Sequence, residues 1–208
     1  MSNIYPVIGM SPGNSYFRDE VVTALLKSVI EKYGKAVVLI PDVPAVSTYL
    51  ALGYAPNRAW RDKALPQGNA LRNKVERSVH ALGYAPDVVK CIDWKGEIES
   101  NPNYVQHFEA VQKLYDSNTA FQLSANDATQ KVLEYSDKEI PDLVVATKTA
   151  VHYLLSELAF MEFAPEYLQT EKAVYIYHRD WPVYEDYIAG TFDQEPRSKL
   201  DFEIVTTA

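Results

Sequence analysis

A single cysteine, Cys91, stands among 208 residues. That excludes an intrachain disulfide and fits a reducing compartment, the cytoplasm. No apolar run approaches the roughly 18 residues a membrane span needs, and Met1 to Pro6 lack the basic stretch and apolar core of a secretory signal. Nor is there a Gly-x-Gly-x-x-Gly turn or a phosphate-loop lysine, which leaves a nucleotide-cradling module with little support. No His, Cys and carboxylate residues recur at metal-ligand spacing, so no metal is expected. Cations are in deficit: 20 Lys and Arg face 28 Asp and Glu, a formal charge of −8. A protein whose whole surface grips nucleic acid is thereby excluded, and only a local basic patch remains possible. Without a Gly/Ser linker or low-complexity segment, residues 1–208 read as one domain.

What is present is an ordinary soluble composition, 47% hydrophobic and 23% charged, in a chain long enough to bury a full core. The organising stretch is Ile4 to Phe17. An apolar run of strand length ends in Gly9-Met10-Ser11-Pro12-Gly13-Asn14, and a helical pattern follows from about Asp19. A strand, a tight turn and a helix place Ser11 at the carboxyl end of a sheet strand, where open α/β sheets hold their ligands. The plainer reading is a polar turn in which Ser11 or Asn14 caps the helix.

Apolar spacing from Val21 to Lys32 predicts a helix ending at Tyr33-Gly34, and Lys35 to Ile40 reads as a second strand. Together these form a βαβ unit with a right-handed crossover. A short helix over Ala45–Leu52 follows. The heptapeptides Ala51–Asn57 and Ala81–Asp87 nearly repeat, each pairing a glycine stop with a proline two residues after a Tyr; two copies make similar helix ends, not a solenoid. Ala70–Ala81 reads as a helix, Asp87–Trp94 as a third strand, and Asn103–Asp116 and Ala125–Tyr135 as amphipathic helices. Lys172–His178 alternates as a further strand, Trp181–Ala189 as a closing helix, and the acidic residues after Asp193 as a surface tail. The fold class is therefore α/β, a single Rossmann-like domain with a mainly parallel sheet and helices on both faces.

Two features carry chemistry beyond the serine turn. From Arg58 to Lys90 seven basic residues oppose three acidic ones, in contrast to the rest of the chain. A charged helix is commonly a solvated face, but this sign contrast points to a phosphate-facing patch. Arg72, Lys74 and Arg77 are its candidates on one helix, with Lys74 and Arg77 the better-aligned pair at about 100° per residue. The second feature is the helix from Pro141 to near Phe163. Between Lys148 and Glu162 its only charge is Glu157. Val151, Leu154, Leu155 and Leu158 form one stripe, while Tyr153, Glu157 and Phe160 lie opposite. A helix covered on both sides would place Tyr153 and Glu157 together in an enclosed space. A lone buried carboxylate needs a partner: a tyrosine or backbone amide on a structural reading, a bound cation on a functional one.

Gly9-Met10-Ser11-Pro12-Gly13 also matches the Gly-x-Ser-x-Gly elbow of α/β-hydrolases. In those enzymes the elbow lies deep in the chain; here it follows the first strand, in a short chain without a His-Gly-Gly oxyanion loop.

Gly9 to Tyr16, Tyr153-Leu154-Leu155-Ser156-Glu157 and Tyr177-His178 together resemble the signature positions of cyclodipeptide synthases, in the family's order and spacing over nearly the whole chain. Asn14 and His178 resemble the subgroup with polar residues at those places. The resemblance implies a Rossmann-like fold similar to the catalytic domain of class I tRNA synthetases. It further implies two aminoacyl-tRNA substrates and no ATP, metal, other cofactor or obligate protein partner. Ser11 would take up the first aminoacyl group as an ester, with Tyr153 and Glu157 holding its α-amino group. After extension to a dipeptidyl enzyme, the chain end would close to a 2,5-diketopiperazine, with Tyr177 in proton transfer or orientation and Asn14 and His178 as polar support. Val7, Gly9, Phe160 and Tyr175 would line the first side-chain pocket. With a net charge of −8, the contacts of Arg72, Lys74 and Arg77 to tRNA would have to act locally.

Overall fold

The computed structural model describes residues 3–206; Met1, Ser2, Thr207 and Ala208 lie outside it. Five parallel strands form one sheet in the order β3-β2-β1-β4-β5: β1 (Ile4–Gly9), β2 (Ala36–Leu39), β3 (Val89–Ile92), β4 (Lys172–Tyr177) and β5 (Leu200–Ile204). Eight α-helices connect them among the described residues: α1 (Asp19–Tyr33), α2 (Asp42–Ala51), the single turn α3 (Pro56–Arg58), α4 (Leu65–Ala81), α5 (Pro102–Ser117), α6 (Thr119–Glu134), α7 (Leu143–Tyr167) and α8 (Pro182–Ala189).

Strand residues alternate between two cores, as a period of two requires. On one face Val7, Val37, Leu39, Ala173 and Tyr175 pack with α5, α6, α7 and α8. On the other, Ile8, Val38, Ile40, Val174 and Ile176 pack with α1 and α4. Both faces are buried, which explains why the strands are apolar throughout. The α/β class, the parallel sheet and the two helical layers follow the sequence expectation.

Several boundaries differ. Helix α4 begins at Leu65, not Ala70, because Pro66 is accommodated in its first turn and a π-helical stretch, Ala59–Ala64, leads into it. Helix α6 starts at Thr119, where the Asn118 side chain accepts from the Phe121 N–H at 2.9 Å. Strand β3 is reduced to four residues between a 3₁₀ turn (Pro86–Val88) and a π-helical turn (Trp94–Ile98). The two near-repeats do end helices alike, with Gly53 and Gly83 at φ 81° and 71°.

The largest correction is at the C-terminus. The segment after Asp193 is not merely a surface tail, since Leu200–Ile204 joins the sheet as β5, parallel to β4. Leu200, Phe202 and Ile204 alternate with Asp201 and Glu203, a pattern obscured by the surrounding acidic composition. By length and composition α7 could cross a membrane, but 61% of its most apolar window is buried within the protein. Every residue from Leu154 to Met161 is buried, so this is a core helix covered all round.

Candidate active site

Strand order reverses between β1 and β4, and the candidate site lies at the carboxyl ends of those two strands. Ser11 follows β1 by two residues, and Tyr177 is the last residue of β4. The serine turn is held by backbone bonds from Met10 N–H to the Leu39 carbonyl, 2.9 Å, and from Asn14 N–H to the Ser11 carbonyl, 3.2 Å. Asn14 Oδ1 accepts from the Tyr16 N–H at 2.9 Å, which closes the loop on itself. Neither Ser11 nor Asn14 caps α1; Arg18 occupies that position without a side-chain cap. The capping reading of the turn is thus corrected. Gly13 adopts φ 82°, and a Cβ there would meet Gln67 and Tyr49 at 2.6–2.7 Å.

Ser11 Oγ lies 3.0 Å from Tyr177 OH and accepts from Tyr153 OH at 3.1 Å. Tyr153 OH also lies 3.2 Å from Glu157 Oε1. With one proton, it can donate to Ser11 or to Glu157 but not to both at once. Tyr175 OH reaches the same Oε1 at 3.2 Å, and Tyr184 OH donates to Oε2 at 2.6 Å. Three phenols therefore surround one carboxylate, and no cation pairs with it among the described residues. Burial pushes Glu157 up to about 7, although the hydrogen bonds from Tyr184, Tyr175 and Tyr153 pull the other way. Burial, reinforced by the Glu157 charge, also raises Tyr153, Tyr175 and Tyr184 well above the usual phenol range. Tyr177 is pushed up to about 12 for the same reasons. All four phenols keep their protons at neutral pH.

His178 is different in kind. It stacks on Tyr16 with ring centroids 3.9 Å apart, and its buried Nδ1 has no hydrogen-bond partner among the described residues. Burial first, then the nearby Arg179 charge, pushes it down to about 4, so it is neutral. Among the described residues no histidine nitrogen bonds Ser11. The serine–histidine relay that defines the hydrolase alternative is missing.

Ser11, Asn14, Tyr153, Glu157, Tyr177 and His178 all line one cavity of about 920 Å³. These are the six catalytic candidates of the sequence, drawn together from β1, α7 and β4. A family model described as cyclodipeptide synthase matches residues 5–207. The chain belongs to the cyclodipeptide synthase family.

It is 24% identical over 184 residues to the cyclo(L-leucyl-L-leucyl) synthase of Bacillus subtilis, covering 86% of this chain and 73% of the relative. A crystal structure of a cyclodipeptide synthase from Bacillus thermoamylovorans superposes with a TM-score of 0.83 at 21% identity, over 99% of this chain and 90% of that one. A Mycobacterium tuberculosis protein gives 0.81 at 21% identity, over 99% and 87%. That structure demonstrates that cyclodipeptide synthetases are related to type I tRNA synthetases.

Within this family site, Tyr184 had no signal in the sequence. It is one of 15 tyrosines, carried on a short helix with no motif around it. The four proposed pocket residues do not form the wall of the 920 Å³ cavity. Val7 and Phe160 are fully buried in the core, Phe160 against Trp94 at 5.8 Å. Tyr175 lies behind the wall beneath Glu157, and Gly9 makes room for it: a Cβ at Gly9 would sit 2.8 Å from Tyr175 OH.

The α4 cations are already occupied. Arg72 pairs with the buried Asp42 at 2.6 Å, Lys74 Nζ donates to the Phe17 carbonyl at 2.7 Å, and Arg77 pairs with Asp19 at 2.5 Å. Only the last pair is exposed at both partners, and such a pair is easily exchanged for another anion.

Proposed function

We propose that this enzyme joins two aminoacyl groups, each delivered on tRNA in the cytoplasm, into a 2,5-diketopiperazine through an ester on Ser11. The observation that carries the reading is Ser11 Oγ within 3.1 Å of two protonated tyrosines, next to a buried carboxylate that lacks a cation.

Ser11 Oγ attacks the ester carbonyl of the first aminoacyl-tRNA. The Oγ–C bond forms, the bond to the 3′ oxygen of the RNA breaks, and the serine proton ends on that oxygen. The ester is already activated, so no nucleotide is consumed, and covalent capture divides a two-substrate reaction into easier steps. Phenol donors are suited to this exchange because their high pKa keeps them protonated and able to hydrogen-bond developing oxyanions.

The bound α-amino group, a cation with a pKa near 8, is the partner that Glu157 lacks. Tyr153 hydrogen-bonds alongside it. Burial favours a proton on Glu157, so the carboxylate can take one from the ammonium group and free the amine. The freed amine attacks the second aminoacyl-tRNA, its ester bond breaks, and a dipeptide remains on Ser11. The new terminal amine then attacks the seryl ester, which releases the ring and restores the serine hydroxyl. Tyr177, 3.0 Å from Oγ, orients or protonates Oγ in closure, with Asn14 and His178 as polar support. Arg77 of α4 contacts the body of the tRNA by exchanging its exposed pair with Asp19, whereas Arg72 and Lys74 serve structural contacts with Asp42 and the Phe17 carbonyl.

Incubation with radiolabelled aminoacyl-tRNA tests the ester directly. One aminoacyl group is expected on Ser11 of the wild type, with diketopiperazine in the medium, and neither in Ser11→Ala. Labelling that persists in Ser11→Ala would falsify the mechanism.

A further inference from the structure

The cavity about Ser11 extends well beyond the serine itself. At about 920 Å³ it lies near the top of the range, roughly 300–1,000 Å³, of pockets that hold whole drug-sized ligands. Its wall carries two arginines, Arg18 and Arg179. The contrast with α4 is informative. Arg72, Lys74 and Arg77 each have an intramolecular acceptor, but neither Arg18 nor Arg179 has an ion pair among the described residues. Their acidic chain neighbours do not supply one: Asp19 is engaged with Arg77, and Asp180 pairs with nothing among the described residues. Arg179 is instead flanked by rings, with its guanidinium carbon 4.4 Å from the Trp181 centroid and 5.3 Å from that of Tyr135. The Nε of Arg179 is buried without a partner among the described residues, but rings against a guanidinium face leave the terminal N–H donors, which lie in the plane, available to an anion. Tyr135 is 73% exposed at the same cavity.

We infer that Arg18, Arg179 and Tyr135 form a seat for the single-stranded 3′-terminal nucleotides of the acyl-bearing RNA, the arginines on phosphodiester oxygens and the tyrosine stacked on a base. The inference rests on the aminoacyl-tRNA reading above and adds to it a second zone of RNA binding, separate from α4. Free guanidinium groups in a chain of net charge −8 give the RNA end a local attraction that the molecule as a whole does not provide.

The probe is an RNA minihelix with a single-stranded 3′ end, carrying an amide-linked amino acid that cannot be transferred. Its affinity is read by fluorescence anisotropy at several salt concentrations. For Arg179→Gln and Arg18→Gln we expect about tenfold weaker binding each near 0.1 M salt. The slope of log affinity against log salt should fall by about 0.7 for each phosphate no longer neutralised. Tyr135→Ala should weaken binding by about tenfold with the slope unchanged, since stacking releases no counterions. Melting temperatures should fall by at most a few degrees, because neither arginine supports an ion pair and Arg179 loses only its contacts with the Trp181 and Tyr135 rings. Slopes equal to wild type in both arginine variants, or a wild type that does not bind the minihelix, would overturn the inference. A wild type that binds the minihelix but is never acylated by aminoacyl-tRNA would instead overturn the proposed reaction, with the slopes still deciding the seat.

Discussion

Two glutamates lie five residues apart on α7, Glu157 buried and Glu162 half-buried, and they face opposite fates. Glu157 is ringed by Tyr153, Tyr175 and Tyr184. Glu162 accepts from Tyr187 OH at 2.6 Å and Arg197 Nε at 2.9 Å, with His107 Nδ1 at 3.1 Å. Burial raises both. At Glu162 the hydrogen bonds from His107, Tyr187 and Arg197, together with the Arg197 charge, outweigh burial and bring it down to about 2. At Glu157 phenols alone do not, and it stays up at about 7. Helix geometry sets the two about 140° apart, so they enter different surroundings. Arg197 completes one glutamate as a structural ion pair that ties α7 to the C-terminal segment. The other is left for a cation from outside. What distinguishes a structural from a functional carboxylate here is whether the fold supplies the counter-charge.

Breaking the structural member should have the largest effect. Glu162→Gln leaves a half-buried guanidinium with Asp193 as its one remaining counter-charge among the described residues, and we expect a loss of about 3 kcal/mol in unfolding free energy. Denaturant melts would check it, and activity per folded molecule should survive. A stable Glu162→Gln protein would show that Asp193 suffices for Arg197.

Breaking the functional member should do the reverse. Glu157→Gln is expected to cost about ten- to hundredfold in turnover, the worth of a charge-assisted hydrogen bond of roughly 1.5–3 kcal/mol, while melting remains cooperative. Lost cooperativity with retained activity per folded molecule would make Glu157 structural.

The pair should also pull stability in opposite directions with pH. Both carboxyls start from an ordinary value of 4.5. Glu162 is depressed, so its contribution is present above pH 4.5 and is lost as pH falls through about 2. Glu157 is raised, so the native state holds the extra proton; that contribution is present below pH 4.5 and is lost as pH rises through about 7. Relative to Glu157→Gln, the wild type should therefore lose about 3 kcal/mol between pH 4 and pH 8. Parallel stability curves would contradict the difference between the two sites. Catalysis has the opposite requirement, an ionised Glu157 facing an ammonium group, and its acidic limb should lie near pH 7.

The smallest effect is the sharpest. Tyr184→Phe removes the shortest hydrogen bond on Glu157, 2.6 Å. The acidic limb of the rate profile should move to higher pH, with about a fivefold loss at neutral pH for a bond worth about 1 kcal/mol. Rate loss without movement of the limb would assign Tyr184 to packing.

Whatever depends on neighbours along the chain was legible before folding. Strand alternation, the helical stripes of α1 and α7, the helix stops at Gly53 and Gly83, and the serine turn all follow from local periodicity and backbone preference. Even the isolation of Glu157 was legible, because an apolar helix with one carboxylate is a local anomaly. Hydrogen bonds and ion pairs between distant segments depend on which elements the fold brings together. Asp42, the Phe17 carbonyl and Asp19 occupy the α4 cations, and no residue spacing reveals that. Tyr184 reaches Glu157 only because α8 folds back against β5 and α6, and β5 exists only because an open edge of β4 accepts it. Desolvation and counter-charge are properties of what packs around a side chain, and for Glu157, Glu162 and the rim arginines those neighbours come from other elements of the fold.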